Sequence, residues 1–306
     1  MERRYPLIDI GVEDAERLLR PLPGASRPRA LELLTGGHIN TNYVVSFDDG
    51  RRVVLRIYAH GEAAFRKEVE LLRALHGSIP IPRVYAAVFE PQFFQYPYVV
   101  LEWVEGGALN ETLSSSPAAA PEIGEAVAAT LLRIGGHAFP AYPPFAFVEY
   151  VGECLFERGA ARYLGAETSA RLWAFAQEQS GALDELCRGE ALVHGDFQGD
   201  NILVKESGGR WEVAAVLDWE WARTGCYLSD LGSLLRFEGE ASAGFQRGLE
   251  EGFSRRGAPL PREWRRAARI WDVAAHCEKL AYPRHRGEVT LRSIRNIERC
   301  LRDYAD

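Results

Sequence analysis

The octapeptide HGDFQGDN, residues 194–201, places two carboxylates and an asparagine amide in a turn between two apolar stretches. Side chains at the ends of buried strands are held by packing, while the loop backbone leaves room for a ligand. Asp196 and Asn201 lie five positions apart, and Asp218 follows a second apolar strand at residues 213–217. A hairpin joining the two strands would bring Asp218 close to Asn201.

These three side chains suit metal-assisted chemistry. The Asn201 carbonyl oxygen and the Asp218 carboxylate are hard oxygen ligands, which suit Mg²⁺ when the ion also binds phosphate oxygens. Asp196, left free of the metal, could accept a proton from an attacking hydroxyl. Kinases use a D-x-x-x-x-N pattern with a later Asp for phosphoryl transfer, in which positioning and charge neutralisation supply most of the catalysis.

The first hundred residues are rich in β-type runs separated by glycine turns. Asp49-Gly50 is a strong hairpin signal, because this dipeptide accepts the positive φ angles of a tight turn. A helix is predicted after the third strand, and two further strands follow the helix. The predicted strands are residues 31–34, 43–47, 52–58, 79–90 and 96–106, and the predicted helix is residues 62–76.

Glu68 lies within the apolar stripe of this predicted helix, whereas Glu70 points to the opposite side. A carboxylate on a buried helix face is costly unless it meets a cation or hydrogen-bond donors. Glu68 therefore either has a buried partner or extends to solvent at the edge of the stripe.

The residue pattern changes from β-type to helical after the fifth predicted strand, and most of the remaining residues have helical periodicity. A chain of 306 residues is long enough for two domains. We predict an α+β fold with a small antiparallel-sheet lobe carrying one helix, residues 1–103, and a larger, mainly helical lobe, residues 104–306.

Composition excludes several classes of protein. The net charge of -7 argues against a nucleic-acid surface. The chain shows neither an apolar leader after its first residues nor a run of about 18 apolar residues, so we expect no membrane partner. The five cysteines never form a CxxC spacing, and we interpret them as thiols of a cytoplasmic protein.

The order and spacing of these motifs resemble the aminoglycoside phosphotransferase and small-molecule kinase family, which shares the protein-kinase-like fold. The resemblance covers roughly residues 31–236. It rests on His194-Gly195-Asp196 through Asn201, Leu217-Asp218-Trp219, the turn Gly36-Gly37-His38-Ile39-Asn40, Val54-Leu55-Arg56 and Ser229-Asp230-Leu231-Gly232.

The resemblance implies roles for further residues. The turn with Gly36, Gly37 and Asn40 is similar to the loop that covers the phosphates, although it lacks a full GxGxxG and also fits an ordinary hairpin. Residues 102–104, from Glu102 to Val104, are similar to the hinge whose backbone meets adenine. Asp230 resembles an acid that binds the backbone of the catalytic loop, and Asp196 resembles the catalytic base.

Arg56 is the main departure from the protein-kinase pattern, which has a lysine in the third strand. The chain has only three lysines, and none lies in the first three predicted strands. An arginine fork can hold a carboxylate and phosphate oxygens together, so a pair with Glu68 would explain that buried carboxylate. The alternative places Arg56 on the outer face of the sheet.

The predicted activity is an ATP- and Mg²⁺-dependent transfer of phosphate to a hydroxyl of a small molecule, with GTP as the alternative nucleotide. The acceptor class covers aminoglycosides, sugars, amino alcohols and related metabolites, with a cationic acceptor as one form. Two rival functions are a metal-dependent phosphohydrolase and a nucleotide-binding scaffold without turnover. The hydrolase would use His194, Asp196, Asp200 and Asp218 as metal ligands. Candidate contacts for an amine-bearing acceptor are Glu149, Glu153, Glu157, Glu238 and Glu240, and the role of Glu220 is open.

Overall fold

The computed structural model describes residues 5–24, 26–34, 39–59, 62–138, 146–186, 191–237, 242–281 and 287–304. The chain divides into two compact units. The first contains residues up to Gly107 together with Ala214–Glu220, and the second contains Ala108–Val213 and the residues from Trp221 onward. The return of Ala214–Glu220 to the first unit was not anticipated from the sequence. A backbone hydrogen bond of 2.8 Å from the Val216 N–H to the Pro80 carbonyl helps to hold this segment.

The first unit is built on a five-stranded antiparallel sheet in the order β1-β2-β3-β5-β4. Helix α1 precedes the sheet, and helix α2 connects β3 to β4. The strands are β1 (Pro28–Leu33), β2 (Thr41–Phe47), β3 (Arg52–Ile57), β4 (Val84–Val88) and β5 (Tyr98–Glu102), and the helices are α1 (Val12–Leu18) and α2 (Glu62–Leu75).

The two faces of this sheet bury different side chains. Leu55 and Ile57 of β3 are fully buried and belong to a hydrophobic cluster that includes Leu18 of α1. Since successive side chains of a strand point to opposite faces, Arg56 faces away from this cluster. The buried stripe of α2 carries Glu68 among apolar side chains such as Phe65. The strand period therefore places Arg56 on the other face of the sheet from the N-terminal helix.

The second unit is mainly helical. The helices are α3 (Leu109–Ser115), α4 (Ala120–Gly135), α5 (Phe147–Gly152), α6 (Ala161–Leu186), α7 (Tyr227–Leu234), α8 (Ser242–Arg255), α9 (Trp264–Ala281) and α10 (Glu288–Tyr304). Helix α6 is interrupted by a non-helical residue at Gly165, which has φ and ψ angles of 76° and 166°. A π-helical turn at Glu153–Glu157 follows α5. Within the described ranges, no helix is long and apolar enough to cross a membrane.

Short strands carry the loop that holds the candidate catalytic residues. Strand β7 (Ala191–Val193) pairs with β10 (Arg223–Gly225), and β6 (Gly107–Ala108), β8 (Ile202–Ser207) and β9 (Arg210–Val216) form a three-stranded sheet. The loop runs from the end of β7 to a 3₁₀ turn at Gly199–Asn201, immediately before β8. Pairing of β8 with β9 is the hairpin that the sequence predicts.

The cysteines depart from expectation at one position. Cys226 takes part in a disulfide bond, whereas Cys154, Cys277 and Cys300 are free thiols. The interpretation of the cysteines as thiols is therefore wrong at Cys226. A disulfide requires only that two cysteines approach in space, so scattered sequence spacing could not reveal it.

Candidate active site

The Asp196 carboxylate is held by side chains of its own loop. The Asn201 Nδ2 group donates to the Asp196 backbone carbonyl at 2.9 Å and to Asp196 Oδ2 at 3.2 Å. The Gln198 Nε2 group donates to the same carboxylate oxygen at 3.2 Å. Because the Asn201 amide nitrogen is used on Asp196, its carbonyl oxygen is left for another ligand. The five-residue spacing thus closes a compact ring around the candidate base.

Asp230 binds the backbone that leads into this ring. The backbone N–H groups of His194 and Gly195 donate to its two carboxylate oxygens at 2.8 and 2.9 Å. Asp230 is 1% exposed, and burial raises its pKa although His194 and the two N–H groups act in the opposite direction. The geometry matches the loop-binding role that the resemblance implies for Asp230.

His194 is enclosed within the loop. The residue has no exposed surface, and its Nδ1 atom accepts a hydrogen bond of 3.2 Å from the Asp196 backbone N–H. Its ring meets the Phe197 ring edge to face, at 5.9 Å between centroids. These contacts give His194 a supporting position, and they disfavour the rival hydrolase in which it would be a metal ligand.

Arg56 forms a buried cluster of charges in the first unit. The side chain is 8% exposed, and its Nη2 atom lies 2.5 Å from Asp218 Oδ1 and 3.5 Å from Glu68 Oε2. The alternative with Arg56 on the outer face of the sheet is therefore wrong. Burial alone would lower the pKa of Arg56, but Asp218 and Glu68 raise it well above its usual value. Arg56 is a permanent cation in this cluster.

Glu68 has donors on both carboxylate oxygens. The Tyr58 hydroxyl donates to Oε2 at 2.6 Å, and the Trp219 backbone N–H donates to Oε1 at 3.3 Å. Burial raises the pKa of Glu68, while the charge of Arg56 acts to lower it. Glu68 is 1% exposed, so the interpretation in which it extends to solvent at the stripe's edge is wrong.

Asp218 and Glu220 complete this cluster. Asp218 has a φ angle of 67°, the one positive value among non-glycine residues of the described chain, and such strain concentrates at functional sites. The Glu220 Oε2 atom accepts a hydrogen bond of 3.2 Å from the Asn40 amide. Burial first, and then the charge of Asp218, raises the pKa of Glu220 to about 8, partly opposed by Arg56.

The remaining predicted nucleotide contacts are located only in part. Gly36 and Gly37 lie outside the described residues, so their role as a phosphate loop stays a prediction. Glu102 ends β5, and its backbone N–H donates to the Arg83 carbonyl at 2.9 Å. Val104 follows in a half-buried segment, and its backbone makes no hydrogen bond to the backbone of any other residue that the structure describes. Its backbone groups remain available to a base.

The residues proposed to hold magnesium have the right donor chemistry. The Asn201 carbonyl oxygen is not used within the loop, and the Asp218 side chain is 34% exposed with one oxygen directed to Arg56. An amide oxygen and a carboxylate suit Mg²⁺, which usually completes its coordination with water and phosphate oxygens. The donor set therefore fits the predicted ion.

Substitutions in the Arg56–Glu68 pair are expected to weaken nucleotide use. Arg56→Ala and Glu68→Ala each remove one partner of a buried ion pair, so we expect the KM for ATP to rise by about 10–100-fold. Steady-state kinetics with varied ATP measures the effect. The exposed i,i+4 pair Arg66–Glu62 on the same helix is the matched control, and its alanine variants should keep the KM. Unchanged ATP affinity and turnover in both Arg56→Ala and Glu68→Ala would refute a role of this pair in nucleotide binding.

The buried cation that lies beside Asp196 was not predicted from the sequence. Arg236 Nη1 lies 3.8 Å from Asp196 Oδ1, and Asp272 of α9 binds the same guanidinium. Lys279, also on α9, is close enough to feel the charges of Arg236 and Asp196. Burial and the charge of Arg236 lower the pKa of Lys279 to about 8, although Asp196 acts to raise it. The available signal was an arginine in the apolar run LGSLLRF, six positions after Asp230.

The fold is the protein-kinase-like fold of small-molecule kinases. A sequence model of the phosphotransferase enzyme family matches residues 30–281, more than half of the chain. The chain therefore belongs to this phosphotransferase family.

Solved structures of aminoglycoside phosphotransferases share the fold. The GDP and kanamycin complex of APH(2")-IIIa has a TM-score of 0.74 and 18% identity, and the alignment covers 96% of this chain and 100% of that one. The structure of APH(4)-Ia has a TM-score of 0.69 and 18% identity, with coverage of 96% and 99%. At these identities the likeness concerns the fold alone.

Two curated relatives are much longer proteins. An Arabidopsis thaliana protein named as a probable acyl-CoA dehydrogenase is 24% identical over 220 residues, which are 64% of this chain and 26% of the relative. Acyl-CoA dehydrogenase family member 11 of Gallus gallus is 50% identical over 48 residues, 16% of this chain and 6% of the relative. The matched part of this chain thus covers about a quarter of the length of the plant protein and far less of the Gallus gallus protein.

Proposed function

We propose that this protein transfers the γ-phosphoryl group of ATP to a hydroxyl of a small molecule with the help of Mg²⁺, with GTP as the alternative nucleotide. Membership of the phosphotransferase family supports the reaction class. The observation that carries the proposal is the loop in which Asn201 and Gln198 hold the Asp196 carboxylate. Such a fixed carboxylate suits a proton acceptor in a reaction governed by positioning.

In the proposed reaction, a new bond forms between the acceptor oxygen and the γ-phosphorus while the bond from that phosphorus to the β,γ-bridging oxygen breaks. ADP leaves, and the acceptor proton passes to Asp196. Asn201 and Asp218 would hold Mg²⁺, which when bound neutralises negative charge on the phosphate oxygens. Arg56, fixed by Glu68, would bind phosphate oxygens with its fork. Residues 102–104 would meet the base.

The acceptor is the open part of this proposal. Among the acidic candidates for an amine-bearing acceptor, Glu153 is already paired with Arg158 at 2.6 Å, which weakens it as a contact for a cation. Glu149 and Glu157 are exposed, and Glu238 and Glu240 lie outside the described residues. These acidic residues therefore give no reason to prefer a cationic acceptor over a neutral one. The names of the two curated relatives add hydroxylated acyl-CoA thioesters to the classes worth testing.

A coupled ADP-release assay over a panel of acceptors tests the proposal. The panel contains aminoglycosides, sugars, amino alcohols, nucleosides and hydroxylated acyl-CoA thioesters, each with ATP or GTP and with Mg²⁺ or EDTA. We expect ADP release that depends on both an acceptor and Mg²⁺, together with a phosphorylated product seen by mass spectrometry.

The rival functions give different results in the same assay. Phosphate release from a phosphomonoester without any nucleotide would favour the hydrolase. ATP binding without turnover on any acceptor or on water would favour a scaffold. Either outcome would overturn the proposed transfer reaction.

A further inference from the structure

Arg236 places a buried guanidinium directly behind the candidate base. The residue follows α7 in a 3₁₀ turn, and its side chain is 1% exposed. Its Nε and Nη2 atoms donate to Asp272 at 3.0 and 2.5 Å, and Nη2 also contacts Ser233 Oγ at 3.2 Å. Two of the three guanidinium nitrogens are therefore committed to neighbours on α7 and α9.

The third nitrogen faces the loop. Arg236 Nη1 is buried, has no hydrogen-bond partner among the residues that the structure describes, and lies 3.8 Å from Asp196 Oδ1. The other carboxylate oxygen of Asp196, Oδ2, accepts the hydrogen bonds from Asn201 and Gln198. Donors on Oδ2 and a cation beside Oδ1 together restrict the rotation of the carboxylate plane.

Asp272 is itself held by a contact to His276, so it provides a fixed anchor for the guanidinium group of Arg236. His276, one turn further along α9, places its Nε2 atom 3.1 Å from Asp272 Oδ2, and its Nδ1 atom lies 3.3 Å from Ser293 Oγ of α10. Burial on its own would raise the pKa of Asp272, but Arg236 and His276 hold it well below its usual range. A continuous series of contacts therefore links α10, α9 and Arg236 to Asp196.

We propose that Arg236 is a positioning residue for the proposed reaction: anchored by Asp272, it orients the Asp196 carboxylate toward the acceptor hydroxyl. The inference rests on the proposed function, in which Asp196 accepts the proton. Buried donors without a partner are rare, and hydrogen bonds around a base often shorten only when the substrate binds. The Nη1 contact to Oδ1 would tighten in the same way.

The first experiment compares Arg236→Ala and Arg236→Lys with the wild type. The readouts are kcat, the KM for ATP and the melting temperature, using the best panel acceptor and, in parallel, water as the acceptor in basal ATP hydrolysis. We expect Arg236→Ala to lower kcat about a hundredfold while the KM for ATP stays within about threefold, because the base is misplaced rather than the nucleotide. Arg236→Lys should recover part of kcat by restoring the charge.

Arg266→Lys is the matched control, since this half-buried arginine of α9 contacts Gln179 and the Tyr304 carbonyl instead of the loop. It should keep the wild-type kcat. Asp272→Asn should reproduce part of the loss in kcat by loosening the anchor. Two results would show that Arg236 is a packing residue and would overturn the proposal. One is a fall in kcat accompanied by an equally large rise in the KM for ATP. The other is a lower melting temperature with unchanged kinetics.

A double-mutant cycle and chemical rescue separate this proposal from the function on which it rests. If Arg236 acts through Asp196, the double variant Arg236→Ala with Asp196→Asn should be no slower than Asp196→Asn alone. Guanidinium ion at millimolar concentration should restore part of the Arg236→Ala rate, because truncation leaves the volume of the missing guanidinium group between Asp272 and Asp196.

Additive losses and absent rescue would refute the positioning role while leaving Asp196 as the base. Wild-type turnover in Asp196→Asn would refute the base itself, and the inference about Arg236 would fail with it. The two failures are therefore distinguishable.

Discussion

Asp196→Asn is expected to lower turnover by about 10²–10⁴-fold while ATP still binds. Asparagine keeps the size of the side chain and an acceptor oxygen for Asn201, but it cannot take the acceptor proton at neutral pH. Steady-state ADP release gives the loss in turnover, and tryptophan fluorescence titration with ATP gives the affinity. The loop geometry should survive, so the melting temperature is expected to change little.

The neighbouring carboxylate provides the control. Asp200 lies in the same loop, and its Oδ1 atom accepts a hydrogen bond of 2.9 Å from the Asn110 amide. Asp200→Asn removes the same charge without touching Asp196 and should retain turnover within a few-fold. Normal rates in Asp196→Asn, or an equal collapse in Asp200→Asn, would contradict the assignment of the base and revive a role for Asp200 as a metal ligand.

Asp218→Ala should strongly weaken productive binding of the metal–nucleotide complex. A carboxylate that holds Mg²⁺ against phosphate contributes several kcal/mol to the transition state, so kcat/KM should fall by about 10²–10³-fold. Arg56 also loses its partner at 2.5 Å. Titration of Mg²⁺ at fixed ATP, with EDTA as the metal-free reference, measures the loss as a shift of the half-saturating Mg²⁺ concentration.

The backbone at position 218 requires a second variant. Alanine tolerates a φ angle of 67° less well than aspartate or asparagine, so Asp218→Asn separates the loss of charge from backbone strain. Asp49→Asn, in an exposed turn of the first unit, is the charge-matched control. An unaltered Mg²⁺ dependence in Asp218→Asn and Asp218→Ala would remove Asp218 from the list of metal ligands.

Local patterns predicted the secondary structure well. The Asp49-Gly50 signal is confirmed, because β2 ends at Phe47, β3 begins at Arg52, and Gly50 has a φ angle of 82°. The helix predicted at residues 62–76 is α2, Glu62–Leu75. These elements follow from side-chain periodicity and turn chemistry, which are properties of consecutive residues.

The sequence predicted those contacts of the candidate site whose residues share a loop or lie on the buried face of a helix or strand. Asp196 and Asn201 are joined by their own spacing. A buried partner for Glu68 was one of two interpretations of its helix stripe, and the structure supplies that partner as Arg56. Contacts between distant segments could not be inferred. Arg236 and Asp272 are 36 positions apart, and no periodicity connects a 3₁₀ turn to the face of a later helix.

Glu220 illustrates the same limit on the electrostatic side. Its raised pKa depends on burial and on the charges of Asp218 and Arg56, which come together only in the folded unit. A sequence pattern names a carboxylate but not its dielectric surroundings. The protonation state of a site residue is therefore a tertiary property, even when the residue itself lies in a recognisable motif.

The backbone at Gly195 restricts how this enzyme could be controlled. Gly195 has a φ angle of 83°, and a Cβ atom there would lie 2.3 Å from the Trp221 carbonyl oxygen. Protein kinases with the H-R-D signature carry an arginine at this position. No side chain fits here without rebuilding the loop, so a switch that works by capturing a phosphorylated segment on that arginine is closed to this protein.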